Sequence, residues 1–127
     1  MSKILSIVST AYRATQEEQD DAGLWVNRAL VNGGAEIDLL LQGSAVNYAV
    51  ARQDPTGLVI GSVAIEHPAI PPQDLKALQA GGMQVFADAT DIEAYGLDPE
   101  KLEPGVQLIT KGSIAGLFRK YEQVWQW

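Results

Sequence analysis

The fold is decided by the stretch Gly82-Met-Gln-Val-Phe-Ala-Asp88-Ala-Thr-Asp91-Ile-Glu-Ala-Tyr-Gly96-Leu97, in which a short β-rich run turns directly into a capped helix. Asp88 stands at the junction, and Asp91 lies in the first helical turn. In an open parallel sheet the carboxyl ends of the strands line the crevice where ligands bind, and a helix that begins there presents unpaired N–H groups. We therefore predict that any chemistry of this protein centres on this junction.

Strands and helices alternate on both sides of that stretch. Apolar β-rich runs predict strands at 3–8, 35–41, 83–87, 105–110 and 123–127. Amphipathic runs with capping residues and closing glycines predict helices at 16–32, 45–51, 73–80 and 89–95, one turn at 98–102, and a helix that begins at 112. Prolines interrupt residues 52–71, which are predicted to form a long connection with some strand content. The alternation predicts a single domain over residues 1–127, a three-layer α/β/α fold with about five mostly parallel strands and helices on both faces.

The composition excludes several classes of protein. The 127 residues contain no cysteine, which removes disulfides, thiolate nucleophiles, persulfide carriers and cysteine-ligated metals. The net charge of −7 opposes binding to nucleic acid or to anionic membranes. The apolar run 4–8 is far shorter than a secretory core or a membrane span. We therefore expect a cytoplasmic protein with no cofactor, no nucleic-acid partner and no membrane partner.

Asp88 and Asp91 have two interpretations. Aspartate is a preferred N-cap residue, and a carboxylate in the first helical turn complements the helix dipole, so capping alone explains both and is favoured. Together with Glu93 they can instead form a small carboxylate site for a hard cation such as Mg²⁺ or Ca²⁺. Because their spacing follows no known cation-binding loop, we assign no metal ligand and no catalytic residue.

Other polar side chains also stand near predicted strand ends. Tyr12 and Arg13 follow the first strand and can bind an anionic ligand, although their loop has no glycine through which a pyrophosphate reaches the backbone. Lys111 stands at another strand-to-helix junction, in a segment that does not follow the phosphate-loop pattern. His67 lies in the proline-rich connection, where a surface position is the usual outcome. Tyr12, Arg13 and Lys111 are therefore the candidate ligand-binding residues.

Six segments follow one another along nearly the whole chain in a distinctive order and spacing. They are Lys3-Ile-Leu-Ser-Ile-Val-Ser-Thr10, Ala29-Leu-Val-Asn-Gly-Gly-Ala-Glu-Ile-Asp-Leu-Leu-Leu41, Gly43-Ser-Ala-Val46, Gly82-Met-Gln-Val-Phe-Ala87, Tyr95-Gly-Leu97 and Pro104-Gly-Val-Gln-Leu-Ile109. This succession resembles the DsrE/DsrF/DsrH-like family, which includes the TusB, TusC and TusD sulfur-relay subunits.

The resemblance implies a small sulfur carrier, in which a cysteine after the third strand accepts persulfide sulfur and passes it to a partner. That cysteine position falls on Asp88 here, and the second cysteine of some members falls close to Asp91. A carboxylate can occupy the same helix terminus as a thiolate, but it has no sulfur atom with which to form a persulfide. We therefore expect no sulfur transfer by this chain alone.

The resemblance also implies assembly, since family members form trimers or hexamers, and some mixed hexamers contain subunits without the active cysteine. We therefore expect a homo-oligomer, with a cysteine-bearing sulfur-relay protein as a further partner. Trp125 and Trp127 fall on one side of the last predicted strand, where they either join an interface or close the core of their own domain.

Two hypotheses of different classes follow. The preferred one is a non-catalytic DsrE-like oligomeric binding or scaffold protein associated with sulfur metabolism. The alternative is a small-ligand-binding protein or enzyme that uses the crevice at the strand ends, with Asp88, Asp91, Tyr12 and Arg13 as its polar lining.

Overall fold

A computed structural model of the chain describes residues 3–11, 22–53, 57, 59–64 and 70–126. In these ranges the elements are β1 (Lys3–Val8), α1 (Ala22–Asn32), β2 (Glu36–Leu41), a first 3-10 helix (Gly43–Ala49), β3 (Val59–Ile60), β4 (Val63–Ala64), α2 (Pro71–Ala80), β5 (Val85–Asp88), α3 (Ala89–Ala94), a second 3-10 helix (Pro99–Lys101), β6 (Gln107–Ile109), α4 (Lys111–Phe118) and β7 (Gln123–Gln126). None of the helices in these ranges has the length and apolar character that crossing a membrane requires. The predicted beginning of the first helix, at residue 16, lies outside the described residues.

Five strands form one sheet in the order β6-β5-β2-β1-β7, and every neighbouring pair is parallel. Strands β3 and β4 form a separate antiparallel hairpin. Helices pack on both faces of the large sheet, so the predicted three-layer α/β/α class with about five mostly parallel strands is confirmed. Because all five strands run the same way, their carboxyl ends meet at one edge, which we call the carboxyl edge.

Two apolar cores lie on opposite faces of the sheet because side chains alternate along each strand. In β2, Leu39 and Leu41 belong to the core of the first face, whereas Leu40 belongs to the core of the second face. Side chains from α1, α2, α3 and the first 3-10 helix fill the first-face core. The second-face core is smaller, and among the described residues α4 is the one helix that covers it, through Leu117 and the partly buried Ile114.

The predicted elements are present with shifted bounds, and the turns around them account for the shifts. The predicted strand 83–87 begins only at Val85, because the N–H of Met83 still donates to the carbonyl of Leu78 in the turn after α2. Helix α2 begins at Pro71, since the first helical turn needs no backbone donor. The predicted connection 52–71 contains the β3–β4 hairpin, and its residues 54–56, 58 and 65–69 lie outside the described ranges.

The closing strand β7 lies beside β1 at the edge of the sheet. Trp125 in this strand is partly buried and packs against the first-face core, and its indole N–H donates to Gln123 Oε1 at 3.0 Å. For Trp125 this contact favours closure of the domain's own core over a place in an interface. Trp127 lies outside the described residues.

At the edge of the sheet where the strands begin, the buried carboxylate of Asp38 joins four segments. Its Oδ1 accepts the backbone N–H of Gln84 at 2.9 Å, just before β5. Its Oδ2 accepts the hydroxyl of Tyr121 at 2.6 Å and lies 3.1 Å from Nζ of Lys3. Partial burial, together with the hydrogen bond to Asp38 and its negative charge, raises the pKa of Tyr121 well above its ordinary value. The Tyr121 hydroxyl therefore stays protonated and donates a hydrogen bond that holds the segment between α4 and β7 to the sheet.

We predict that Tyr121→Phe lowers the free energy of unfolding by about 1.5 kcal/mol, as expected when a hydrogen bond to a charged group is lost. Urea unfolding at neutral pH measures the change. Tyr95→Phe is the matched control, because Tyr95 is 51% exposed, and it should cost less than about 0.5 kcal/mol. Equal losses in the two variants would contradict the role given to the bond with Asp38.

Candidate functional site

Asp88 ends β5 and caps α3. Its side chain is fully buried, and its Oδ1 accepts the backbone N–H of Thr90 at 2.9 Å and that of Asp91 at 3.4 Å. Aspartate suits this place because its short side chain reaches the unpaired N–H groups of the first helical turn. Capping of α3 therefore explains the contacts of only one of the two carboxylate oxygens of Asp88.

The other oxygen of Asp88 joins neighbouring strands of the sheet. Its Oδ2 accepts Nζ of Lys111 at 2.8 Å and Nε2 of Gln42 at 3.3 Å. Gln42 directly follows β2 and Lys111 begins α4, separated from the end of β6 by one residue, so the strand order β6-β5-β2 places both side chains beside Asp88. The Lys111 side chain is 57% exposed, whereas the carboxylate is buried, so solvent reaches the ion pair from the lysine side.

Asp91 extends this cluster toward the loop after β2. Its Oδ2 accepts the backbone N–H of Gly43 at 2.8 Å and lies 3.9 Å from Nζ of Lys111. Gly43 has a φ of 54°, and a Cβ at this position would lie 2.7 Å from the carbonyl oxygen of Ser9. Only glycine therefore allows the loops after β1 and β2 to approach each other here while the Gly43 N–H still points at Asp91.

Asp88 and Lys111 each stabilise the charged form of the other. Burial raises the pKa of Asp88, but hydrogen bonds from Lys111, Gln42 and the N–H groups of Asp91 and Thr90 outweigh it and hold the pKa below its usual 3.8. The hydrogen bond to Asp88 raises the pKa of Lys111, desolvation opposes this, and the charges of Asp88 and Asp91 add to the rise. The paired charges of Asp88 and Lys111 therefore support a structural ion pair at neutral pH.

The structure brings together three of the predicted site residues, which are Asp88, Asp91 and Lys111. Tyr12, Arg13 and His67 lie outside the described residues. Glu93 is exposed, and within the described part of the chain no three His, Asp or Glu side chains converge in a way that could hold a metal ion.

Sequence reasoning missed Gln42 and Gly43 as members of the site. The available signal was their position at the carboxyl end of the second predicted strand, in the same kind of junction that singled out Asp88.

Comparisons with known proteins place the fold but not the family. No protein-family model matches the chain, and no curated protein matches it. Among solved structures eleven chains match, including that of the YchN protein from E. coli, with a TM-score of 0.78 and 20% sequence identity. That alignment covers 100% of both chains. At this identity the likeness shows that the two chains share a fold and nothing more.

We predict that Asp88→Asn lowers stability at neutral pH by about 2 kcal/mol, because the amide keeps the cap but loses the charged bond to Lys111. Since the folded protein holds the pKa of Asp88 below 3.8, the contribution of this carboxylate is present above that value and is lost as pH falls through the folded pKa. Unfolding measured from about pH 6 to about pH 2 should therefore show the two proteins converging in stability toward acid.

Asp98→Asn is the control for this acid dependence. Asp98 also caps a helix, since its Oδ1 accepts the N–H of Glu100 at 2.9 Å, but its side chain is exposed. Because solvent surrounds the Asp98 carboxylate, the difference in stability between the wild type and Asp98→Asn should stay below about 1 kcal/mol at every pH tested. If the free energies of unfolding of Asp88→Asn and of the wild type differ by the same amount over the whole acid range, the charged bond between Asp88 and Lys111 does not have the role assigned to it.

Proposed function

We propose that this protein is a non-catalytic DsrE-like binding or scaffold protein associated with sulfur metabolism, which assembles as a homo-oligomer. It would act on persulfide sulfur only through a partner that carries a cysteine. The DsrE-like fold supports the association with sulfur chemistry, and the site at the carboxyl edge supports the absence of chemistry by this chain.

The observation that carries the proposal is the state of Asp88. The resemblance puts the carrier cysteine of the family at this position, and here a buried carboxylate occupies it with four donors on its two oxygens. A carrier needs a sulfur nucleophile that attacks the outer sulfur of a persulfide, and the 127 residues contain none. The two oxygens of Asp88 instead accept hydrogen bonds that bind neighbouring segments of the chain together.

Assembly is supported by apolar surface on the β3–β4 hairpin. Val59 and Val63 are 57% and 60% exposed, and they lie on a two-stranded element outside the large sheet. An isolated hairpin is stable only when it packs against something else, and here the pairing of Val59 with Ala64 and of Ile60 with Val63 places one exposed valine on each face. We therefore assign the hairpin to the interface between copies of this chain.

We predict that Asp88→Cys creates a sulfur acceptor. The new thiolate would attack the outer sulfur of glutathione persulfide, forming a protein persulfide and releasing glutathione. Lys111, 2.8 Å from the present carboxylate, should favour the thiolate form and speed the reaction. Intact-mass spectrometry follows the gain of one sulfur atom, and the wild type should gain none.

Asp98→Cys is the matched control, a cysteine at an exposed helix cap. If both variants gain sulfur at the same rate, or if Asp88→Cys stays inert while Asp98→Cys reacts, the position of the family cysteine has been misplaced in this chain. A double variant, Asp88→Cys with Lys111→Met, should react more slowly than Asp88→Cys alone.

Native mass spectrometry tests the assembly. We expect the wild type to be a trimer or hexamer, Val63→Asp to give smaller species, and the control Val124→Asp, at an exposed position on β7, to remain assembled. A monomeric wild type would contradict the assembly.

A reproducible small-molecule adduct that Asp88→Ala abolishes would favour the alternative, a ligand-binding protein that uses the carboxyl edge.

A further inference from the structure

The second face of the sheet carries a groove beside α4. Among the described residues α4 is the one helix on this face, and it leaves the edge strand β6, where Gln107 is exposed, partly uncovered. The opening between α4 and these two strands has a volume of about 620 Å³, which is within the range of small-molecule sites. This groove is separate from the carboxylate cluster, and neither Asp88 nor Asp91 lines it.

The floor of the groove is apolar. Phe86 and Leu117 lie at its base and are only 8% and 5% exposed, and Ile109 is partly buried next to them. Leu108 on β6 borders the groove through its backbone only, because its pairing with Ala87 of the first-face core places its side chain on the other face. The residues that line it therefore include an aromatic ring and branched side chains against which a flat apolar group can pack.

The charge around the groove has the opposite sign to the charge of the protein. Asp and Glu outnumber Lys and Arg by 16 to 9 in the chain, yet the charged residues that line the groove are Lys3 and Lys120. Lys3 is paired with Asp38 at 3.1 Å, outside the groove lining. Lys120 is exposed, and no carboxylate of the described residues lies within 4 Å of its ammonium group. The groove thus has an unpaired cation at its rim.

Gly116 in the middle of α4 lines the groove and has no role in the packing of the fold. A Cβ built at this position meets no atom within 4 Å, and the backbone there does not have a positive φ. Glycine inside a helix costs about 1 kcal/mol relative to alanine, and here no steric contact requires it. Its effect is to keep the groove open.

From these observations we infer that the groove binds a small amphipathic organic anion, a flat apolar body with one carboxylate. The body packs on Phe86 and Leu117 in the space beside Gly116, and the carboxylate pairs with Lys120, with Lys3 nearby. The apolar floor selects the body, and the local positive charge selects an anion over a neutral or cationic compound. This site is independent of the proposed scaffold role.

The probe is 2-naphthoate, and the matched neutral compound is 2-naphthamide. Titration of the ¹⁵N-labelled full chain, followed by its amide NMR spectrum, should shift the signals of residues that line the groove on α4, β5 and β6. Signals of the carboxylate cluster, such as those of Asp91 and Gly43, should stay in place. The amide should bind about threefold more weakly or worse, since it lacks the charge that pairs with Lys120.

Two pairs of variants test the geometry. Gly116→Leu fills the groove and should weaken 2-naphthoate binding at least about tenfold, whereas Ala115→Leu, exposed on the same helix outside the groove lining, should not. Lys120→Gln should weaken binding about threefold, whereas Lys101→Gln, a lysine in the second 3-10 helix, should not. Because all four positions are exposed and a Cβ at Gly116 meets no atom within 4 Å, all four variants should fold.

Four outcomes would overturn the proposal. Absence of shifts at millimolar 2-naphthoate excludes the site. Equal binding of acid and amide removes the role of Lys120. Shifts that survive in Gly116→Leu place the compound elsewhere, and loss of an oligomer in Gly116→Leu without any binding by the wild type would make a second copy of the chain the occupant. None of these results depends on the sulfur chemistry of Asp88→Cys, so the two proposals can fail separately.

Discussion

The carboxyl edge of the sheet depends on the ion pair between Asp88 and Lys111. A buried carboxylate is costly unless donors replace its lost hydration, and here the first turn of α3 supplies two, while the residue after β2 and the first residue of α4 supply one each. Gln42 and Lys111 are far from Asp88 in sequence and reach it only when the strand order is correct. The bond therefore stabilises α3 locally and also discriminates the native arrangement from other packings of the same strands. At the opposite edge Asp38 does the same for the beginnings of β1 and β5.

Under the proposed function, the same physical requirements let an aspartate stand where the family that the sequence resembles has a thiolate. Both are anions, and both are stabilised by helix N–H groups and by a neighbouring ammonium group. The environment of Asp88 would thus suit a reactive sulfur, but the carboxylate in it has no covalent chemistry with sulfane sulfur. What this edge contains is an electrostatic arrangement of two carboxylates and one ammonium group.

Sequence reasoning could locate Asp88 because its signal is local: a β-rich run, then a capping residue, then a helix. It could mark Lys111 for the same reason. It could not predict that the two side chains touch, because that contact follows from β5 lying between β2 and β6, and strand order has no local signature. The contacts of Asp38 were missed for the same cause, since its partners Lys3, Gln84 and Tyr121 are spread over most of the chain. The groove was missed because the sequence shows Gly116 only as a residue with low helix propensity and does not show that it lines an opening.

The position of β1 between β2 and β7 has a consequence for how the chain folds. Ile4 pairs with Ile37 on one side and with Gln123 on the other, so one neighbour arrives early in synthesis and the other very late. Contacts between residues so distant in sequence slow the search for the native state. Until β7 docks, β1 remains an open, apolar sheet edge, and such an edge can pair with another unfinished chain. The segment from Tyr121 to Gln126 thus acts as a late cover whose timing sets the aggregation risk of the newly made protein.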